Sequence, residues 1–346
     1  MGMNKTFTIA SCALLAAAAA GGAVHNIDRE AVSVYVYRRT LDAYVGEYGE
    51  LAAQMRREEN VGAVFLSVSM IHLPEPDYAQ MVRDFVSAVH GQNIFVHAMY
   101  LQDETSLDDL DVARTRTQEI INFHNQSGPG EQFDGFTIDV EPERTSDWDD
   151  VDKRFGLVKK LLSVMEAIRG VMAANGCDEP FSASLWAHYM KDGTLRPYLT
   201  YNGESVGYPD DFLQWADFVI LMSYDDDSSD IVEAVEDEIE SAGRNDSVMV
   251  GVATKEGDSD DTTFWEEGWQ ALCSAMGEVR VSFDFYTGPL LGFVVFEYES
   301  YNILKTATPP WTMINFQPIT SVPPPDCLKD SGLSYGMMGG YHYGWR

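Results

Sequence analysis

The chain has 346 residues, enough for one large domain or two smaller ones, and the even spacing of its strand signals argues for one. Its 23 Lys and Arg stand against 55 Asp and Glu, a formal net charge of −32, which argues against nucleic acid or an anionic membrane surface as a partner. The acids are spread along the chain rather than gathered in a tail, so the charge reports on solubility more than on a site.

Residues 1–24 read as a secretory signal peptide: a basic start at Lys5, an apolar run over 7–20 and a small-residue exit through Gly21, Gly22 and Ala23. The expected location is therefore secreted or periplasmic. Cys12 precedes most of the apolar run, so it does not serve as a lipidation site. No later stretch reaches the roughly 18 apolar residues of a membrane span. The exported chain would keep Cys177, Cys273 and Cys327; Cys177 with Cys327 is the expected disulfide, leaving Cys273 a buried thiol on a helix.

Strands are predicted over 31–37, 61–70, 93–100, 133–142, 181–188, 218–225, 248–256 and 292–298. Helices with apolar positions at helical spacing fall between them, over 41–58, 78–89, 107–125, 148–175, 231–242 and 264–276. Gly176 is the expected stop of the long helix. The connection over 189–211 is too long for a simple loop and reads as an elaboration of the functional face, with a short helix over 211–215. Eight strands, each followed by a helix or helical turn, predict a (β/α)8 TIM barrel over 25–308, followed by an irregular Pro/Gly/Tyr-rich tail over 309–346.

In such a barrel function sits at the C-terminal ends of the strands. Along the fourth strand Gly135, Thr137, Asp139 and Glu141 share one side while Phe136, Ile138 and Val140 share the other. Helices cover a parallel sheet, so the acidic row must face the barrel mouth. Two carboxylates at one strand end repel each other and lose solvation, which raises the proton affinity of at least one and makes a general acid. The other strand ends add Tyr37, Tyr100, Trp186, His188, Tyr224, Asp225, Glu256 and Glu297. Aromatic faces stack on sugar rings and carboxylates bind hydroxyls, so this set suits carbohydrate. The sequence contains no phosphate loop and no HxH or HExxH spacing, so no cofactor or metal is expected.

The segment Asp134-Gly135-Phe136-Thr137-Ile138-Asp139-Val140-Glu141 resembles the DGxDxDxE signature of family 18 glycoside hydrolases, the chitinase-like barrels. Met222-Ser223-Tyr224-Asp225 resembles their sixth-strand MxYD. The resemblance implies that Glu141 protonates the glycosidic oxygen and that Asp139 orients and balances the substrate's N-acetyl group. It further implies that Tyr224 bonds that group and that Asp225 contacts sugar hydroxyls or supports the loop. Thr137 stands where the family has its middle aspartate, Val140 replaces an aromatic, and Phe296-Glu297 stands where a Trp would floor the sugar site. Two other readings stay open: a retaining glycosidase pairing Glu141 with Glu256 or Glu297 as nucleophile, and a non-catalytic sugar-binding barrel. The expected partner in each is an oligo- or polysaccharide, and the protein is expected to be a monomer.

Overall fold

A computed structural model describes residues 27–187, 200–201, 204–205, 211–242, 247–256, 261–283 and 288–306. The expected signal peptide, His188, most of the 189–211 connection and the tail lie outside the described residues. Eight parallel strands close a barrel in chain order: β1 Val32–Val36, β2 Val61–Ser67, β3 Phe95–Leu101, β4 Gly135–Ile138, β5 Phe181–Trp186, β6 Phe218–Met222, β7 Val248–Ala253 and β8 Leu290–Phe296. Closure is made by β8 against β1, where Ser33 lies beside Val294. A two-stranded antiparallel pairing, Thr200–Tyr201 with Glu204–Ser205, sits in the connection after β5.

Nine helices follow in order among the described residues: α1 Arg38–Ala43, α2 Tyr48–Arg57, α3 Pro76–His90, α4 Thr105–Asp108, α5 Leu110–Gln126, α6 Val151–Asn175, α7 Ser228–Ser241, α8 Trp269–Ser282 and α9 Tyr298–Thr306. The single helix expected over 41–58 is two, because the chain turns after Ala43 and restarts at Tyr48. Helix α3 starts two residues before the expected 78, at Pro76; a proline has no N–H to lose in the first turn of a helix. The short helix expected over 211–215 is a 3-10 turn, Phe212–Gln214. As predicted, α6 stops at Gly176, which takes the left-handed conformation at φ 64.

Alternation along the strands builds two cores. Residues of one parity, such as Val34, Leu66, Val96, Phe136, Leu185 and Val250, pack under the helices. Those of the other, Tyr35, Phe65, Met99, Phe218, Ile220 and Val294, fill the barrel axis. This plug gives the mouth above it a solid floor. His97 belongs to the plug, with its ring centroid 5.2 Å from that of Phe65 and 5.6 Å from that of Phe218. Its space is made by Gly135, where a Cβ would lie 2.3 Å from His97 Cε1.

The cysteines depart from expectation. Cys177 is a free thiol whose Sγ donates to Glu179 Oε2 at 3.0 Å, whereas Cys273 is disulfide-bonded. No helix among the described residues is long and apolar enough to cross a membrane, and among them no group of three or more His, Cys, Asp and Glu could hold a metal ion.

Candidate active site

Strand β4 carries its polar row straight up the barrel interior. Gly135 yields to His97 at the bottom; one pleat higher the fully buried Thr137 shares a hydrogen bond of 2.8 Å with Ser182 of β5. The next inward position, Asp139, leaves the sheet while its N–H still donates to Leu101 O at 2.8 Å. Glu141 follows two residues on, and Pro142 then starts a 3-10 turn that lifts the chain away. Gly135, Thr137, Asp139 and Glu141 thus climb from plug to rim.

Asp139 and Glu141 open into a hollow of about 600 Å³ at the C-terminal mouth. Asp139 is recessed, with Oδ1 buried and without a hydrogen-bond partner. Burial pushes its carboxyl up from 3.8 to about 7; the neighbouring charges of Glu141 and Glu143 add to the rise, while Arg144 and the Ser184 hydroxyl oppose it. Ser184 is itself held by the Tyr35 hydroxyl at 3.0 Å. Glu141, 22% exposed, is paired with Arg144 Nη1 at 2.9 Å. The sequence reading expected at least one raised acid in this pair, and the inner member is raised because it loses the most water.

Tyr224, Tyr37 and Phe296 form the aromatic side of the hollow. Tyr224 stacks on Phe296 with centroids 5.6 Å apart and planes at 30°, and Tyr37 meets the same ring edge-on at 5.8 Å. Burial pushes the Tyr37 and Tyr224 hydroxyls well up, and Asp139 adds to the effect, so both remain protonated hydrogen-bond donors. On the β8 side the buried Glu297 also lines the hollow and is ion-paired with Arg39. Arg39 also reaches Glu299 at 3.2 Å.

The hollow therefore brings together Asp139, Glu141, Tyr224, Tyr37 and Glu297 from the residues singled out in the sequence. Tyr100 is a correction. On β3 the inward residues are Phe95, His97 and Met99, so Tyr100 is one residue out of phase and points outward, its hydroxyl 2.9 Å from Thr117 of α5. Glu256 is a second: it lies three residues past the end of β7, is exposed and does not line the hollow, where Lys255 stands instead. Trp186 packs edge-on against Trp148 at 6.1 Å, and the half-buried Asp225 follows Tyr224 with the opposite parity; neither lines the hollow. Sequence reasoning missed Tyr35, Ser184, Arg39, Arg144 and Lys255. Parity with Tyr37 carries a signal for Tyr35, and the i, i+3 spacing from Glu141 one for Arg144; Arg39 and Lys255 have no local signature.

Fold and site define a (β/α)8 barrel with a charged, aromatic-sided hollow at its C-terminal mouth. No family model matches the sequence, and no curated protein matches it. Among solved structures, the chain is similar to a β-glucosidase from Thermotoga maritima in complex with cyclophellitol. The two share 12% identity at a TM-score of 0.51, over 77% of this chain and 88% of that one. It is also similar to a GH18 chitinase from Pseudoalteromonas aurantia, with 11% identity and a TM-score of 0.49 over 78% of this chain and 94% of that one. An endo-β-N-acetylglucosaminidase from Cordyceps militaris aligns at 11% identity and a TM-score of 0.46, over 84% and 87% of the two chains. At 12% identity the likeness to the β-glucosidase is one of fold alone.

Proposed function

We propose that this protein is a glycoside hydrolase, with Glu141 as the proton donor and Asp139 as its assistant. The observation that carries the reading is the placement of both acids in one sugar-sized hollow opposite Tyr37, Tyr224 and Phe296. Glu141, at the rim, protonates the glycosidic oxygen as the bond from the anomeric carbon breaks. Where the sugar is N-acetylated, as the family 18 resemblance implies, the acetamido oxygen closes on the anomeric carbon. Asp139, left as a carboxylate once its proton has passed to Glu141 for that donation, balances the positive charge that develops, and Tyr224 donates to the same group. Water reopens the ring as Glu141 takes back a proton, so the acid ends as it began. Asp139 keeps a proton up to about pH 7, so the site stores one beside Glu141 near neutrality.

A second reading is favoured by Glu297. It lines the same hollow in an ion pair with Arg39, and a second carboxylate at the site is what a two-carboxylate mechanism uses as its nucleophile. The test for both is a screen of chitin-type, peptidoglycan-type, glucan and mannan oligosaccharides with the wild type, Glu141→Gln, Asp139→Asn and Glu297→Gln. Loss of about 10²-fold or more in kcat from Glu141→Gln supports the proton-donor role, and turnover that survives it removes Glu141 from the mechanism. A covalent glycosyl adduct that disappears in Glu297→Gln would select the second reading.

A further inference from the structure

The hydrogen bond between the Tyr35 and Ser184 hydroxyls, 3.0 Å long and buried, crosses the barrel. Tyr35 lies on β1 and Ser184 on β5, strands that stand four places apart in either direction around the closed sheet. The two hydroxyls therefore join opposite walls. The Tyr35 ring makes the span possible. It lies at the top of the plug, with its centroid 5.7 Å from that of Phe65 and 6.2 Å from that of Phe296, and it lines the hollow.

Register sets Ser184 beside Asp139. Thr137 pairs with Ser182 and Ile138 with Ala183 along β4 and β5, so the next residue of each brings Asp139 to the level of Ser184, on the inward side that Thr137 and Ser182 share. One level down, the Thr137 and Ser182 hydroxyls satisfy each other. At the level of Asp139 the arrangement differs. Each hydroxyl has one proton to give. With the Tyr35 proton given to Ser184, the Ser184 proton is free for Asp139, and this is the sense in which the Ser184 hydroxyl lowers the proton affinity of that carboxyl. Burial holds the Tyr35 hydroxyl well above its ordinary range, so it keeps its own proton throughout.

We propose that Ser184, held from across the barrel by Tyr35, is a positioning residue whose hydroxyl donates to the Asp139 carboxylate and keeps it turned into the hollow once its proton has passed to Glu141. This role rests on the hydrolase reading of the same site and adds the group through which Asp139 is held. A hydrogen bond to a carboxylate is stronger than one to a neutral acid, so the Ser184 donation strengthens in the state in which Asp139 balances charge. It therefore favours the chemical step over substrate binding. Other charged and titratable groups act on Asp139 from its own segment, namely Glu141, Glu143 and Arg144. From the elements around the mouth Tyr37, Tyr224, Arg38, Arg39, Lys255 and Glu297 share the hollow with it. Substitution at Ser184 leaves all of these in place.

The Asp139 carboxyl is followed directly, by carbon NMR titration of the full chain labelled at aspartate, with Asp139→Asn to identify its signal. Ser184→Ala moves the midpoint above the wild-type value of about 7, Tyr35→Phe moves it the same way by less, and Ser184→Thr, which keeps the hydroxyl, restores it. On whichever oligosaccharide of the screen is cleaved, Ser184→Ala lowers kcat about tenfold and leaves KM little changed. It also shifts the alkaline limb of kcat/KM upward with the midpoint, whereas loss of packing alone would lower activity at every pH without moving that limb. A midpoint that stays or falls in Ser184→Ala overturns the proposal, and where that variant fails to fold the same result in Tyr35→Phe does so. Glu141-dependent cleavage with an unmoved midpoint sinks this inference alone. A midpoint that moves as expected in a protein that cleaves nothing sinks the hydrolase reading alone.

Discussion

The Thr137 and Ser182 hydroxyls meet at 2.8 Å across the β4–β5 pair, both fully buried. The position that carries the middle aspartate in the family 18 signature is therefore filled here by a neutral, satisfied group below Asp139. Removing one partner strands the other in the plug, where an unmet hydroxyl costs about 1–3 kcal/mol. Thr137→Val, which keeps the shape, is expected to lower the unfolding free energy in urea by that amount, and Thr137→Ser by clearly less. A loss from Thr137→Ser well above that from Thr137→Val would show that the methyl, not the hydroxyl, matters.

Asp139 gives the fold a distinctive dependence on pH. Its carboxyl is raised from 3.8 to about 7, so between those values the native protein holds a proton that the unfolded chain has released. Its contribution to stability is complete below about pH 4 and is lost as pH rises through about 7, by on the order of 4 kcal/mol as a ceiling. Asp139→Asn removes this term. The variant is expected to gain roughly 1–4 kcal/mol on the wild type between pH 4 and pH 8, measured as paired urea curves at both values. A gap that stays constant with pH would mean that Asp139 is not proton-bound near neutrality.

Arg144 acts on the same equilibrium from the rim. Its charge lowers the proton affinity of Asp139, so Arg144→Gln moves the Asp139 midpoint upward. Since Arg144 is 65% exposed, salt screens the effect and the displacement shrinks as NaCl is added. The midpoint is read from the pH dependence of thermal stability, with Asp139→Asn as the blank. A downward movement would contradict this electrostatic arrangement.

The eight strands were legible because their apolar runs are bounded by turn residues, and β4 was legible because its alternation sets acids against a greasy face. What was not legible was phase to within one residue. Tyr100 and Glu256 sit at strand ends like Tyr37 and Tyr224, but a step of one places Tyr100 under α5 and Glu256 in solvent. Nor could alternation say that the Asp139 carboxyl is pushed up; that depends on its depth in the mouth, with Arg144 opposing the rise. Arg39 and Lys255 come from segments beyond the strands, α1 and the loop after β7, where strand alternation does not apply, so they became visible only when the barrel closed. Helix breaks, as between α1 and α2, lie below what apolar spacing resolves.

Gly135 is the narrowest point of the plug. An alanine there would set its methyl 2.3 Å from the His97 ring, which is itself wedged beside Phe65 and Phe218. Overpacking of this kind costs about 1–3 kcal/mol. Gly135→Ala is expected to lose that much in urea and to disturb the tilt of β4, lowering turnover with it. The double variant with His97→Ala should recover part of the stability lost to the clash, beyond what additivity allows. Losses that simply add would place the strain elsewhere.

Cys177 is protected by its surroundings. Burial pushes its thiol up to about 12, and the acceptor Glu179, which takes the S–H at 3.0 Å, adds to the rise. Only the thiolate reacts, and near pH 8 the thiolate fraction is on the order of a thousandfold below that of an ordinary cysteine. Native protein treated with iodoacetamide at pH 8 should leave Cys177 unmodified on a timescale that fully labels it in guanidinium, as followed by peptide mass mapping. Glu179→Gln removes the charge that opposes ionisation and should speed native labelling while leaving the denatured rate unchanged. Rapid labelling of the native wild type would show that Cys177 is open to solvent and that the Glu179 contact does not persist.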